Sequence, residues 1–304
     1  MQQHQLIVWL CLADKLTEGL ERVQVLSAQR AARAHPDTST GLRGPLHAVT
    51  RRRRVRPGHP RMRPHTRRMT DNNLTDALAL TIETARRAER DLFGGLDDPI
   101  LERPIREGDW NPKDFQAHLT AWKARQADRF AAMREGRELP PPMEDPEEDA
   151  LNAELRAARV DWDWPAIVGE ADAVADRLIL ELRQADADVL RATDRLITGT
   201  FGNGVLHTLT HVRWLLEAGV PLDRARVAAF EAEALRVVSA AAIPKVARAV
   251  GVYDLACYHA LSGSPDLASN LLREAFRMDP ELVEFSRTDE DLVTIRGDLD
   301  GLVG

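Results

Sequence analysis

Apolar residues recur along this chain at helical spacing. Leu74, Leu78, Ile82, Ala85, Ala88 and Leu92 follow one another at three- and four-residue steps until Gly94-Gly95 ends the run, the interval that stacks side chains on one helix face. The next helix has a full set of start signals: Asn111 as N-cap, Pro112 at the first helical position and Asp114 in the first turn. Trp110 before the cap and Phe115 inside it suit a hydrophobic staple. That register places Phe115, His118, Leu119 and Trp122 on one stripe, so His118 is expected to face the core. Residues 134–148 read as a polar connection broken by Pro140-Pro141-Pro142 and Pro146, followed by a short helix over 150–158 and a turn at Asp161-Trp162-Asp163-Trp164-Pro165. A third long helix is predicted from Pro165 to Gln184, with Ile167, Ala171, Val174, Leu178 and Leu182 facing inward. The fourth is predicted from Asn203, as its cap, to Ala218, closed by Gly219 and Pro221. Strand-like alternation is scarce. Four long amphipathic helices with one extended crossover predict an all-α fold, a four-helix bundle over residues 69–220.

After Pro221 the pattern changes. Pro244 opens a helix through Leu261 that Gly263 ends, and Ser264 is placed to cap a second helix from Pro265 to Asp279-Pro280. The hairpin YDLACYHALSGSPDLASNLLREAFRMDP resembles a tetratricopeptide repeat (TPR), with Ala256, Ala268 and Ala275 as small packing residues, Gly263 at the turn and Pro280 at the stop. Such solenoids need about three repeats to stand alone. With one clear repeat, the 221–304 region is expected to lean on the bundle or on another chain.

Residues 1–68 have a different character. They carry 14 Lys+Arg against 4 Asp+Glu, whereas residues 69–304 carry 27 against 44. The acidic body is a poor match for a phosphate backbone, so nucleic acid is not an expected partner. Residues 35–68, with Arg51-Arg52-Arg53-Arg54 and RPGHPRMRPHTRR, offer almost nothing to bury and are expected to be disordered. The segment reads either as a basic nucleic-acid or targeting arm, or as a dispensable extension with the working chain starting at Met69. The abrupt change of composition favours the second. Cys11 and Cys257 form no disulfide framework and no zinc-cysteine pattern, usage that suits a reducing cytoplasm. The longest apolar run, Leu6 to Ala13, is eight residues, where a membrane span needs about 20. It has no preceding Lys or Arg and no close cleavage signal, so neither a span nor a signal peptide is expected.

Chemistry concentrates in the histidines. His207 and His211, four residues apart, point the same way on a helix. Taken alone, such a pair is better explained by hydrogen-bonded core residues. Two facts strengthen a metal reading: only four histidines follow residue 68, and His118 lies on an apolar stripe, where an unpartnered imidazole is costly. Three imidazoles would leave open coordination positions. Zinc, nickel, iron and cobalt all accept nitrogen ligands, and spacing does not choose among them. Such an ion would acidify a bound water or hold a thiolate. Thr208 follows His207, so this is not the HExxH pattern that brings its own glutamate base. Asp114, Arg213 and Glu217 lie near the histidines but read as cap or solvated charges. Cys257 reads as a packed small hydrophobe and His259 as structural. For Trp162 and Trp164, core packing is a stronger reading than a pocket mouth. Gly202-Asn203-Gly204 lacks the lysine and hydroxyl of a phosphate loop.

WNPKDFQAHLTAW, LNAEL at residues 151–155 and GNGVLHTLTH together resemble the DinB/YfiT-like four-helix-bundle superfamily, and within it the ClbS/DfsB group, over about residues 72–220. The resemblance implies a divalent-metal site at the bundle's end held by His118, His207 and His211, often in dimers. Relatives of this type include thiol-dependent transferases and isomerases, and the ClbS group includes a hydrolase that disarms a cyclopropane-bearing genotoxin. The expectation is a cytoplasmic, metal-dependent enzyme acting by hydrolysis or thiol-dependent transfer, with a small molecule or low-molecular-weight thiol as its partner, and a homodimer. The TPR-like tail lies outside that pattern. It supports an alternative, a non-catalytic scaffold that docks a protein through the tail. A third reading, DNA binding through the arm from Arg51 to Arg68, is disfavoured by the acidic body.

Overall fold

A computed structural model of the chain describes residues 69–105, 110–139 and 145–302. The basic extension with Cys11, and the proline run Pro140-Pro141-Pro142, lie outside the described residues. Among the described residues the regular structure is helical throughout, with no strand, so the fold is all-α. Helix α1 (Met69–Phe93) is followed by a short α2 (Asp98–Leu101), then α3 (Pro112–Arg134), α4 (Asp145–Ala157) and α5 (Trp164–Gln184). Two further helices, α6 (Ala187–Arg191) and α7 (Asp194–Phe201), lead through a kinked segment (Gly202–Leu206) into α8 (His207–Glu217). The bundle is formed by α1, α3, α5 and the rod of α7 and α8: α5 packs on both α1 and α3, and so does the bent rod.

Helix α3 begins as its sequence dictates. The Asn111 side chain accepts from the Asp114 backbone N–H at 2.8 Å, and the Asp114 carboxylate accepts from the Asn111 N–H at 3.3 Å, a reciprocal pair that satisfies two otherwise orphaned donors. Trp110 stacks on Phe115 with ring centroids 5.6 Å apart. In place of the single buried stripe that periodicity suggests, every residue from Pro112 to Lys123 is buried. The reason is α4, which covers the outer side of α3. Asn152 accepts from Trp122 Nε1 at 3.0 Å, and Arg156 reaches Asp114 at 3.0 Å.

The fourth helix does not start at Asn203. The chain is already helical from Asp194, and Asn203 is buried in mid-rod with its Nδ2 donating to the Gly199 carbonyl at 2.9 Å. Leu196, Ile197 and Phe201 are buried in the core and carry the helix up to the bend. Gly204 leaves helical dihedrals (φ −99°, ψ −111°). A Cβ there would stand 3.1 Å from Ile82 Cδ1 and 3.4 Å from Thr81 Cγ2, so glycine lets the bend press against α1. The residues that look like a helix start are the residues of a bend.

Beyond the bundle lie α9 (Arg224–Val238), α10 (Lys245–Leu261), α11 (Pro265–Met278), α12 (Leu282–Ser286) and two short 3-10 turns (Glu290–Leu292 and Arg296–Leu302). Helix α9, not among the helices expected from the sequence, is capped by Asp223, whose side chain accepts from Ala225 N–H at 2.9 Å. It packs on α1 and buries Val227, Phe230, Ala234, Val237 and Val238. Helices α10 and α11 pack along each other across the Gly263 turn, where φ is +76°. Ser264 makes no side-chain cap bond, so Pro265 and the backbone start α11 without it. The expected leaning of this region on the bundle is observed: α10 packs on α7, and one apolar core runs through both. No helix among the described residues is long and apolar enough to cross a membrane.

The contact between α10 and the rod is closest at Gly251, where a Cβ would stand 3.0 Å from both Phe201 Cδ2 and Val238 Cβ. Gly251→Val is therefore expected to destabilise the protein by about 1–3 kcal/mol, the usual cost of overpacking. Urea unfolding would read this as a lowered midpoint with an unchanged slope. An unchanged midpoint would mean that α10 and α7 do not meet this tightly.

Candidate metal centre

Three of the four histidines beyond residue 68 meet at one point. His207 opens α8 directly after the bend, His211 follows one turn later, and His118 comes across from the second turn of α3. The Nε2 of His207 lies 3.0 Å from the Nε2 of His118 and 3.0 Å from that of His211. All three side chains are buried, at 3, 5 and 0% exposure for His118, His207 and His211. Their candidate ligand atoms fall within 4.8 Å of one another. His259 is not part of this group; its ring packs edge-on against Tyr258 with centroids 5.0 Å apart.

Aromatic side chains hold the imidazoles in place. Phe115 lies against His211 with centroids 4.6 Å apart, and Trp214 meets the same ring edge-on at 4.8 Å. Trp110 meets His118 edge-on at 5.3 Å, with Trp122 on the same ring at 6.2 Å. Trp162 takes no part: it is 38% exposed under the Arg159 guanidinium. Trp164 is half-buried against the core. The role of Trp214 was not visible beforehand, although its position three residues after His211 puts it one helical turn away.

Proton accounting shows why this cluster is unusual. Burial, aided by the Lys123 charge, pulls the His118 pKa down to about 3. Burial, then His118 and Lys123, holds His207 well below its ordinary value. These imidazoles are therefore neutral, each with one N–H and one in-plane lone pair. The Nε2 of His207 faces two other Nε2 atoms and can make only one well-aligned hydrogen bond, as donor or as acceptor. A cation between the rings would satisfy all three lone pairs together. Tetrahedral zinc, with Zn–N near 2.0–2.1 Å, would set the nitrogens about 3.3–3.4 Å apart, a few tenths of an ångström beyond the observed 3.0 Å. Ligand histidines commonly donate their other N–H to a carboxylate or carbonyl. Here the Nδ1 atoms of His118 and His207 have no hydrogen-bond partner, and the aromatic packing supplies the orientation instead. The donor set suits zinc, nickel, iron or cobalt.

Beside the histidines runs a buried ionic column that the hydrophobic pattern concealed. Glu89 of α1 and Lys123 of α3, each 1% exposed, meet at 2.6 Å. Glu89 also accepts from Gln116 Nε2 at 3.1 Å and from Thr208 Oγ1 at 2.8 Å, which ties the first turn of α8 to α1. Burial raises the Glu89 pKa, but Lys123, with Arg86 and Gln116, outweighs it and the net shift is downward. Burial lowers the Lys123 pKa, and Glu89 restores part of it. A signal existed in the sequence: Glu89 stands four residues after Ala85, and Lys123 four after Leu119, each charge on an otherwise apolar face. The charges singled out from the sequence are otherwise engaged, Asp114 by its cap and Arg156, Arg213 by Glu217 at 2.8 Å.

Compared with known proteins, residues 81–214 match the DinB superfamily, a span that contains all three histidines together with Glu89 and Lys123. That superfamily is metal-binding and often enzymatic. No curated protein and no solved structure matches the chain.

The buried pair gives a stability test. Glu89→Gln or Lys123→Met leaves one charge without its partner and is expected to cost about 3–5 kcal/mol. The double variant Glu89→Met/Lys123→Met is expected to cost far less than the sum of the two. A denaturant double-mutant cycle checks this; additive single effects would show that the two side chains are not coupled.

Proposed function

We propose that the chain is a divalent-metal-dependent enzyme that acts on a small molecule by hydrolysis or thiol-dependent transfer. The observation that carries this reading is the convergence of three buried imidazoles, with His207 Nε2 3.0 Å from the Nε2 of both His118 and His211 and with His118 and His207 held neutral. His118, His207 and His211 would hold the ion. When bound, it supplies a Lewis acid and a water or thiolate made acidic enough to react at neutral pH.

The chain's own residues prepare that chemistry. Burial and the Lys123 charge keep protons off His118 and His207, so their lone pairs are free to ligate. Trp110, Phe115, Trp122 and Trp214 keep water from the rings and fix their planes. Arg125, with its guanidinium 5.5 Å from the Trp122 ring centroid, brings positive charge beside that wall, which suits an anionic substrate or thiol. The ClbS/DfsB likeness, the low-molecular-weight thiol, the homodimer and the cytoplasmic setting belong to this proposal and rest on the sequence segments quoted above. The rival reading, a scaffold acting through a TPR-like tail, predicts that loss of the histidines leaves function intact.

Bound metal decides between them. Full-length chain without an affinity histidine tag would be incubated with zinc or nickel, desalted and measured by mass spectrometry beside His118→Ala, His207→Ala and His211→Ala. Each variant is expected to lose about one ion per chain relative to the parent while its helical signal remains. Metal held free at a hundredfold over its Kd is expected to stabilise the parent by about 2.7 kcal/mol. Equal metal content in parent and variants would overturn the proposal.

A further inference from the structure

A second cluster of ligating atoms lies in the C-terminal region, on α10 and the first 3-10 turn. Cys257 of α10, Asp289 as the cap of the turn and Asp291 within it place a thiol and two carboxylates within 4.8 Å of one another. All are buried, at 1, 5 and 5% exposure. Asp289 is firmly held: its Oδ2 accepts from the Tyr253 hydroxyl at 2.7 Å and from the Cys257 thiol at 3.6 Å, and its Oδ1 accepts from the Asp291 N–H at 3.0 Å. Asp291 Oδ2, by contrast, is buried with no hydrogen-bond partner. So is Oδ1 of Asp254, which is 4% exposed and sits one helical turn before Cys257.

We propose that Cys257, Asp289 and Asp291 form a second divalent-cation site, suited to zinc, with Asp254 one helical turn from Cys257. Three buried carboxylates and a thiol gather here with little positive charge to balance them. Arg296 donates to the Asp289 backbone carbonyl at 2.7 Å. Arg213, which eases Asp291, is already bonded to Glu217. Buried carboxylate oxygens left without a partner, as at Asp291 and Asp254, are costly. A cation would supply that partner and displace the thiol proton. A thiolate among carboxylates points to a borderline-soft ion such as zinc rather than to calcium or magnesium, which take oxygen donors. Tetrahedral zinc with ordinary Zn–S and Zn–O lengths separates sulfur from oxygen by about 3.6 Å, and Cys257 Sγ stands 3.6 Å from Asp289 Oδ2. Tyr253 would orient the ligating carboxylate, as outer hydrogen-bond donors do at metal sites.

Cobalt(II) distinguishes this site from the histidine cluster, because thiolate ligation adds a near-ultraviolet charge-transfer band that imidazole ligation lacks. Titration of the full-length chain with cobalt is expected to give that band, in Cys11→Ser as in the parent. The triple variant His118→Ala/His207→Ala/His211→Ala is expected to keep it, so the proposed function can fail without touching this result. Cys257→Ser is expected to abolish it. The nearly isosteric Asp291→Asn should weaken cobalt binding by at least the roughly 10- to 100-fold that even an outer hydrogen-bond partner commands. If Cys257→Ser loses its helical signal, Asp291→Asn decides. No band in the folded parent at saturating cobalt, a band that disappears with Cys11, or unchanged affinity in Asp291→Asn would overturn the site and leave protons as what holds the acids together.

Discussion

The contact between Glu89 and Lys123 is the constraint around which the bundle is arranged. Two opposite charges taken wholly out of water are tolerated only when each meets the other and the remaining polar atoms are bonded. That requirement fixes the rotation of α1 against α3. Through Thr208 it also fixes the first turn of α8, and through Gln116 the turn of α3 that carries His118. Hydrophobic packing alone tolerates small rotations of one helix on another, whereas a buried pair at 2.6 Å does not. The histidines inherit their mutual position from that restriction, and the nearby ammonium helps keep the rings of His118 and His207 neutral.

The histidine cluster is therefore assembled from parts with separate causes. Capping at Asn111 sets where α3 begins and hence where His118 falls. The close approach allowed by Gly204 sets where α8 begins and hence where His207 and His211 fall. Aromatic rings then hold the planes of the imidazoles. The match of residues 81–214 to the DinB superfamily covers this assembly and stops short of the helices from α9 onward.

Much of this could be read from the chain, for definite reasons. Periodicity located α1 and α5 because their apolar positions repeat without interruption, and α3 was legible from its start because Asn111, Pro112 and Asp114 each carry an independent signal. Spacing brought His207 and His211 together, and the stripe that carries His118 turned it inward. The fourth helix was misread because Gly202, Asn203 and Gly204 are weak helix formers, and tertiary packing against α1 overrides their propensity. Helix α9 was missed although Val227, Phe230, Ala234 and Val237 recur at three- and four-residue steps, because its Asp223 cap follows a proline turn that resembles a stop. The pairing of Glu89 with Lys123 and of Cys257 with Asp289 stayed hidden for one shared reason: the partners lie 34 and 32 residues apart, so a charge on an apolar face marks a buried ion without saying what it meets.

The bend before His207 also fixes an angular phase. Gly204 leaves helical dihedrals between Gly202 and Leu206, so the face α7 presents to α10 and the face α8 presents to α3 are not tied to one straight helical register. Along an unbroken α-helix each residue advances the azimuth by about 100°, and the seat of Phe201 beside Gly251 would dictate where both imidazoles point. The kink thus lets one rod serve two neighbours whose demands are out of step.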